Sequence, residues 1–329
     1  MLAGQPLSPP PRDTRLDLVR GWMQLSIFLS HATGSAFGAT VIHAAWGISD
    51  SSEQFVFLSG FGLGSLFFLK ASRGSAGPAE ARRDLARRTI RLWGRHLLVL
   101  LAFAAMIFLV DRFVLPGEAG ETGWSWFRHA PLEALPAAAA GLYQPAFMGI
   151  LILFAWCMLL LPGFAWAVER FGAWALLPPA LAWAAVQVTG LSLPAFGGTG
   201  IAFNPFAWAL LFLLGAWFGR RALLNGRAVA RHPLAVAAAL AVVVLGLAFK
   251  AVEVGWVADP GLDFTLIAGK ENLALPRLLH ALSLAYLVAV LLPPRAAPAG
   301  ASPPVRWRRQ GGARSTCSAS GCSCPTAWR

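Results

Sequence analysis

Long apolar stretches follow one another along almost the whole chain, separated by short polar segments. Segments of about 20 apolar residues suit helices that cross a hydrocarbon layer ~30 Å thick. The pattern predicts eight of them, over residues 15–37, 50–70, 92–115, 141–161, 166–189, 205–218, 233–252 and 275–292. A short turn at Pro162-Gly163 is expected to separate the fourth from the fifth. The shorter alternating segments of a membrane β-barrel are not found. The reading is an all-α, polytopic membrane helix bundle over residues 15–292. A disordered lead covers residues 1–14, and a basic, polar, Cys-rich tail covers residues 293–329.

Composition supports this picture and charge orients it. The chain is 57% hydrophobic and 13% charged, against about 25% charged in soluble domains. A net charge of +12 would suit nucleic acid, but the arginines gather between apolar runs, as in cytoplasmic membrane loops. Eight Lys or Arg lie within residues 70–95, and further clusters occupy 220–232 and 295–309. All three fall on the same side of the predicted bundle. The N-terminus is therefore expected in the cytoplasm, and nucleic acid is excluded as a partner in favour of the lipid bilayer. The external segments are then those around residues 38–47, 116–136, 196–205 and 254–273. With 14 Trp and 2 Tyr, any interfacial aromatic belt is mostly Trp. The first fifteen residues lack an apolar run with a cleavage site, so no removable signal peptide is expected.

Cysteines add little to the central region. Cys157 lies in an apolar run and reads as a core residue, while Cys317, Cys322 and Cys324 crowd the tail without forming a disulfide framework. The tail has no helical or strand period. It reads as a flexible cytoplasmic end, as a Cys-rich metal cluster, or as a frameshift product. Residues 314–326, read in another frame with permissible codons for a GC-rich genome, give a plausible membrane segment. On the frameshift reading, terminal helices are missing.

The polar residues inside the apolar runs are the candidates for chemistry, because ionisable groups there are costly and mostly functional. In the first predicted helix Arg20 and His31 are eleven residues apart. At about 100° per residue that leaves both on one face, and the ~1.5 Å rise separates them by about 16 Å. Asp17 and Gln24 share that face. The bland alternative is a snorkelling Arg and a hydrogen-bonded buried His. Asp50 and Glu53 open the second helix at its external end. One would cap the helix, and the other would orient or polarise His31. Gly60 and Gly64 form a small-xxx-small face for close helix approach. Arg88 and Arg91, one turn apart, could clamp phosphates, although charge that merely sets topology is the plainer reading. Near the last helix stand Lys270, Asn272, Arg277, His280 and Ser283.

Four stretches in order carry a resemblance: RDTRLDLVRGWMQLSIFLSH, SDSSEQFVFLSGF, FNPFAWALLFLLGAWFG and GKENLALPRLLHALSLAYL. Over residues 12–292 the chain resembles the OpgC family of membrane acyltransferases, which succinylate osmoregulated periplasmic glucans. The resemblance implies about ten helices, against eight predicted here, and a place in the bacterial inner membrane. It extends to the wider family-three membrane acyltransferases. Their Arg and His in the first helix are matched by Arg20 and His31, and their Arg-x-x-Arg by Arg88 and Arg91.

The reaction so implied takes an acyl group, succinyl by resemblance, from cytoplasmic acyl-CoA to a hydroxyl of a periplasmic glucan. His31 would be general base, with Asp50 or Glu53 holding its tautomer. Arg20, Arg88 and Arg91 would bind the donor. Lys270, Asn272, Arg277 and His280 would face the acceptor. Neither a permanently bound cofactor nor a metal is expected, and glucan-synthesis machinery is a further partner. The competing readings are a transporter or flippase without covalent chemistry, disfavoured by the lack of an inverted repeat, and an inactive remnant.

Overall fold

The computed structural model describes residues 13–31, 40–261, 263 and 268–292. The sequence-based readings of residues 1–12, 32–37 and 293–329 lie outside that set. The described residues contain eleven α-helices and no β-strand. They are α1 (Thr14–His31), α2 (Ser51–Ala71), α3 (Gly77–Phe113), α4 (Glu118–Glu121), α5 (Ser125–His129) and α6 (Pro131–Ala140). Then come α7 (Gly149–Phe171), α8 (Leu177–Thr189), α9 (Pro205–Asn225), α10 (Pro233–Glu253) and α11 (Leu275–Leu291).

Five spans are long and apolar enough to cross a membrane: α2, α3, α9, α10 and the stretch running from α7 through α8. The chain is thus a multi-pass membrane protein by helix length and composition. Helix α11 is apolar but shorter. Helix α1 is not among the five, because Arg15, Asp17 and Arg20 dilute its apolar face.

Three boundaries differ from those the pattern predicts. Helix α3 begins at Gly77 rather than near residue 92 and has 37 residues. At ~1.5 Å per residue it is about 55 Å long, well beyond a ~30 Å hydrocarbon core. Its first half, rich in Ala, Arg and Leu, is made of good helix formers, so the basic segment read as a loop is mostly helix. Secondly, α7 runs straight through Pro162-Gly163. The chain breaks at Gly172 instead, where φ is 60° and a 3-10 turn (Gly172–Leu176) leads into α8. Thirdly, the segment 116–136, expected to be an external loop, folds into α4, α5 and the start of α6, and Gly141, expected to open a helix, ends α6 in a left-handed conformation.

The centre of the bundle is α2 against α9. Gly60 and Gly64 do form a close-approach face. A Cβ on Gly60 would lie 2.0 Å from the Phe212 carbonyl oxygen, and one on Gly64 would lie 2.5 Å from the Ala216 Cα. Helix α9 answers with Gly215 and Gly219, whose added Cβ atoms would meet the carbonyls of Phe57 and Phe61 at 2.2 and 2.4 Å. Each backbone therefore lies in the other's groove, the arrangement favoured where lipid offers no hydrophobic drive for association. Around this pair Val56, Phe154, Leu161, Trp208, Phe212 and Leu273 build the core.

Candidate functional site

The start of α2 and the start of α11 meet at one end of the bundle and bring four predicted residues together. Asp50 caps α2, its Oδ1 accepting from the Ser52 N–H at 2.7 Å, while Glu53 Oε2 accepts from the Asp50 N–H at 2.9 Å. This is a reciprocal capping box, so both acids serve the helix terminus. From α11, Arg277 donates through Nε to Glu53 Oε1 at 2.6 Å and through Nη2 to Asp50 Oδ2 at 3.2 Å. Lys270 Nζ donates to the same Asp50 oxygen at 2.6 Å. Glu53 is fully buried and Arg277 is 7% exposed. Asp50 stands just outside the helix. Burial opposes its ionisation, but Lys270 and Arg277 outweigh burial and hold its carboxyl well below the usual carboxylate range.

This geometry directs the two acids to partners other than His31. All four carboxylate oxygens of Asp50 and Glu53 are engaged by Arg277, Lys270 and backbone N–H groups. The His31 ring instead meets Phe147 edge to face, with centroids 5.0 Å apart. Phe147 has a positive φ of 72°. His31 ends α1 and is exposed. Among the described residues no hydrogen bond or ion pair engages its imidazole.

The readings of Arg277 and His280 as acceptor contacts also change. Arg277 is engaged by the two acids and by the Ala268 carbonyl. His280 is 2% exposed, and its Nδ1 lies 2.7 Å from Ser49 Oγ. Its ring passes between two glycines. A Cβ on Gly47 would come 2.5 Å from Cε1, and one on Gly246 would come 2.5 Å from Cδ2. His280 is thereby a peg joining the loop before α2 to α10 and α11. Asn272 accepts from Asn204 Nδ2 at 2.9 Å and, through its carbonyl, from Gln187. The Lys270 side chain is 40% exposed and lies over the Phe203 ring at 5.5 Å.

The expected arginine clamp is divided as well. Arg88 Nε binds Asp84 at 2.9 Å, beside Lys70 Nζ on the same oxygen at 2.6 Å. Arg91 Nε turns back to the Arg87 carbonyl at 3.1 Å. Arg20 packs on α2, its Nη2 donating to the Leu58 carbonyl at 3.2 Å. An added Cβ on Gly62 would lie 2.1 Å from that nitrogen, so the Nη2 end of the guanidinium rests against Gly62.

A cavity of about 590 Å³ opens between α1, α2, α9 and α11. Its wall is mostly apolar, with Leu16, Phe57, Phe61, Phe218 and Val290 among its lining. One end carries Arg15, Arg227 and Arg231; the other reaches Gln54, next in sequence to Glu53. Gln54 Nε2 donates to the Ala281 carbonyl at 2.9 Å, tying α2 to α11. Its volume lies in the ~300–1,000 Å³ range of ligand sites. Sequence reasoning missed this cavity, together with Ser49, Gln54 and the two glycines around His280. Arg227 and Arg231 read only as topological charge.

Comparison with known proteins then decides the family. Residues 12–315 match a family model described as OpgC protein. The chain belongs to the OpgC family. The match covers most of the chain and extends past residue 292, where the resemblance in the sequence was read to stop. Membership points to a membrane acyltransferase-type function in glucan modification. No curated protein and no solved structure matches the chain.

Proposed function

We propose that this OpgC-family protein is an O-acyltransferase of the bacterial inner membrane, moving an acyl group from cytoplasmic acyl-CoA to a hydroxyl of a periplasmic glucan. Succinyl is the acyl group that the family resemblance favours. The observation that carries the reading is the 590 Å³ cavity with arginines at one end and the buried ion cluster beyond the other, in a chain of this family. The basic ends of α3 and α9 face the cytoplasm by the positive-inside rule, with eight helices from α1 to α11 crossing or entering the bilayer.

His31 is the general base. It stands at the opposite end of α1 from Arg15, exposed and uncommitted to any carboxylate, whereas His280 is walled in by Gly47 and Gly246. A neutral imidazole nitrogen takes the acceptor's hydroxyl proton as the oxygen attacks the thioester carbonyl. The C–S bond breaks, and the thiolate leaves with that proton as the free thiol. Asp50, Glu53 and Arg277 hold the outer ends of α2 and α11 in register, Lys270 offers a cation to the acceptor, and Arg20 lies on the donor side.

The test is mass analysis of glucans from a deletion strain carrying the wild-type gene or His31→Ala. General-base catalysis is worth about 10²–10⁴-fold, so acylated glucan should fall to background in the mutant while the membrane level of the protein is unchanged. Normal acylation in His31→Ala removes His31 from the reaction. Glucan that is identical in the deletion and wild-type strains removes acyl transfer altogether and favours a transporter.

A further inference from the structure

The arginines nearest the cavity are not those of the Arg-x-x-Arg pair. Arg88 is engaged by Asp84 and lines a separate, far smaller crevice of about 10 Å³ on the other side of α2. At the cavity mouth Arg15 is neutralised by Asp13, its Nη2 and the Oδ2 oxygen lying 2.6 Å apart, and another of its nitrogens donates to the Leu292 carbonyl at 2.6 Å. Arg227 and Arg231 differ: both line the mouth, both are exposed, and neither has an ion pair among the described residues. The segment that carries them is fastened to α11. The Tyr286 hydroxyl accepts from the His232 N–H at 3.1 Å and donates to the Ala230 carbonyl at 3.2 Å. The backbone on either side of Arg231 is therefore fastened at the rim, with Arg227 four residues before it.

A site with an apolar wall and two uncommitted guanidinium groups at one end selects an extended ligand with phosphates at that end. Guanidinium forks match phosphate oxygens bidentately and stay charged at every relevant pH. Along α11 the lining runs from Leu282 to Val290, a rise of about 12 Å, so the far end of such a ligand approaches Gln54. Resting on the acyl-transfer reading above, we infer that Arg227 and Arg231 hold the phosphates of the acyl-CoA donor, with its thioester arm lying in the cavity toward Gln54.

The experiment uses the full chain in zwitterionic lipid nanodiscs and desulfo-CoA, which carries the phosphates and arm but cannot react. The expected result is binding by the wild type, weakened at least about tenfold in Arg227→Ala/Arg231→Ala, a loss of the size that severing charge-assisted bonds gives. Arg88→Ala/Arg91→Ala should bind like the wild type, and Arg227→Lys/Arg231→Lys should retain part of the affinity. Wild-type binding that survives Arg227→Ala/Arg231→Ala overturns the assignment and leaves the acyl-CoA reading standing. No binding by the wild type overturns both. A third arm adds an anionic phospholipid to the discs: if the double mutant loses the phospholipid but keeps desulfo-CoA, the rim is a lipid headgroup site and the assignment falls.

Discussion

Buried charge is tolerated here because each group has several partners. Glu53 has no exposed surface, yet its two oxygens meet Arg277 and the Asp50 N–H. Removing one member leaves the rest uncompensated, which costs about 3–5 kcal/mol. Arg277→Ala should therefore lower the melting temperature sharply in detergent, and Arg277→Ala/Glu53→Gln should recover part of that loss. Asp50 adds a pH dependence of known sign. Its carboxyl is depressed in the fold, so its contribution is fully present above the unfolded value of about 3.9 and is lost as pH falls through the folded value. Asp50→Asn should flatten stability against pH on the acid side and lower it at neutral pH; equal acid sensitivity in the two proteins would contradict the pairing. At His280 the fit is steric. Gly246→Ala would drive a methyl into the imidazole, and overpacking of that kind costs about 1–3 kcal/mol. Gly62→Ala should leave melting nearly unchanged, since the Arg20 head can swing aside, yet reduce acyl transfer to glucan by displacing Arg20 on the proposed donor side.

At the scale of elements, the α2–α9 contact is the least forgiving surface. Gly60→Val or Gly215→Leu would push a side chain into a facing carbonyl, so either should abolish accumulation of folded protein. Gly94 supplies the contrast: it is exposed on α3, and an added Cβ meets nothing within 4 Å. Gly94→Ala should raise stability by about 0.5–1 kcal/mol through helix propensity alone. Much of this level was legible in the sequence. Apolar length found the helices, and the spacing of Gly60 and Gly64 marked the close face. The reply from Gly215 and Gly219 was equally present but went unread, because an apolar run does not say which neighbour it packs against. Pro162 misled for a related reason. It reads as a stop, but within a bundle neighbouring helices accommodate its missing donor, as membrane helices allow. The pairing of Asp50 and Glu53 with Lys270 and Arg277 spans more than 200 residues, and no local spacing encodes it. Each partner stands out in the sequence as a polar residue beside an apolar run, but proximity in sequence points the acids to His31.

At the scale of the whole molecule, charge and cavity agree on a direction. The basic half of α3, the end of α9 and the arginine rim belong to one end of the bundle. The ion cluster and the C-terminal end of α1, which carries His31, belong to the other. The proposed transfer across a bilayer needs that polarity, with the anionic donor entering from one side and the acceptor from the other. If the polarity is right, cysteines introduced at Ser75 and Arg227 should be shielded from a membrane-impermeant thiol reagent in intact cells, while one at Glu118 should be labelled.

Covalent transfer can be observed with the purified full chain in nanodiscs given acyl-labelled acyl-CoA and glucan. The expected result is label in ester linkage to the sugar, released by mild alkali, lost with His31→Ala and reduced with Arg227→Ala/Arg231→Ala. Glucan that stays unlabelled with the wild-type protein, under conditions where desulfo-CoA binds, would contradict it.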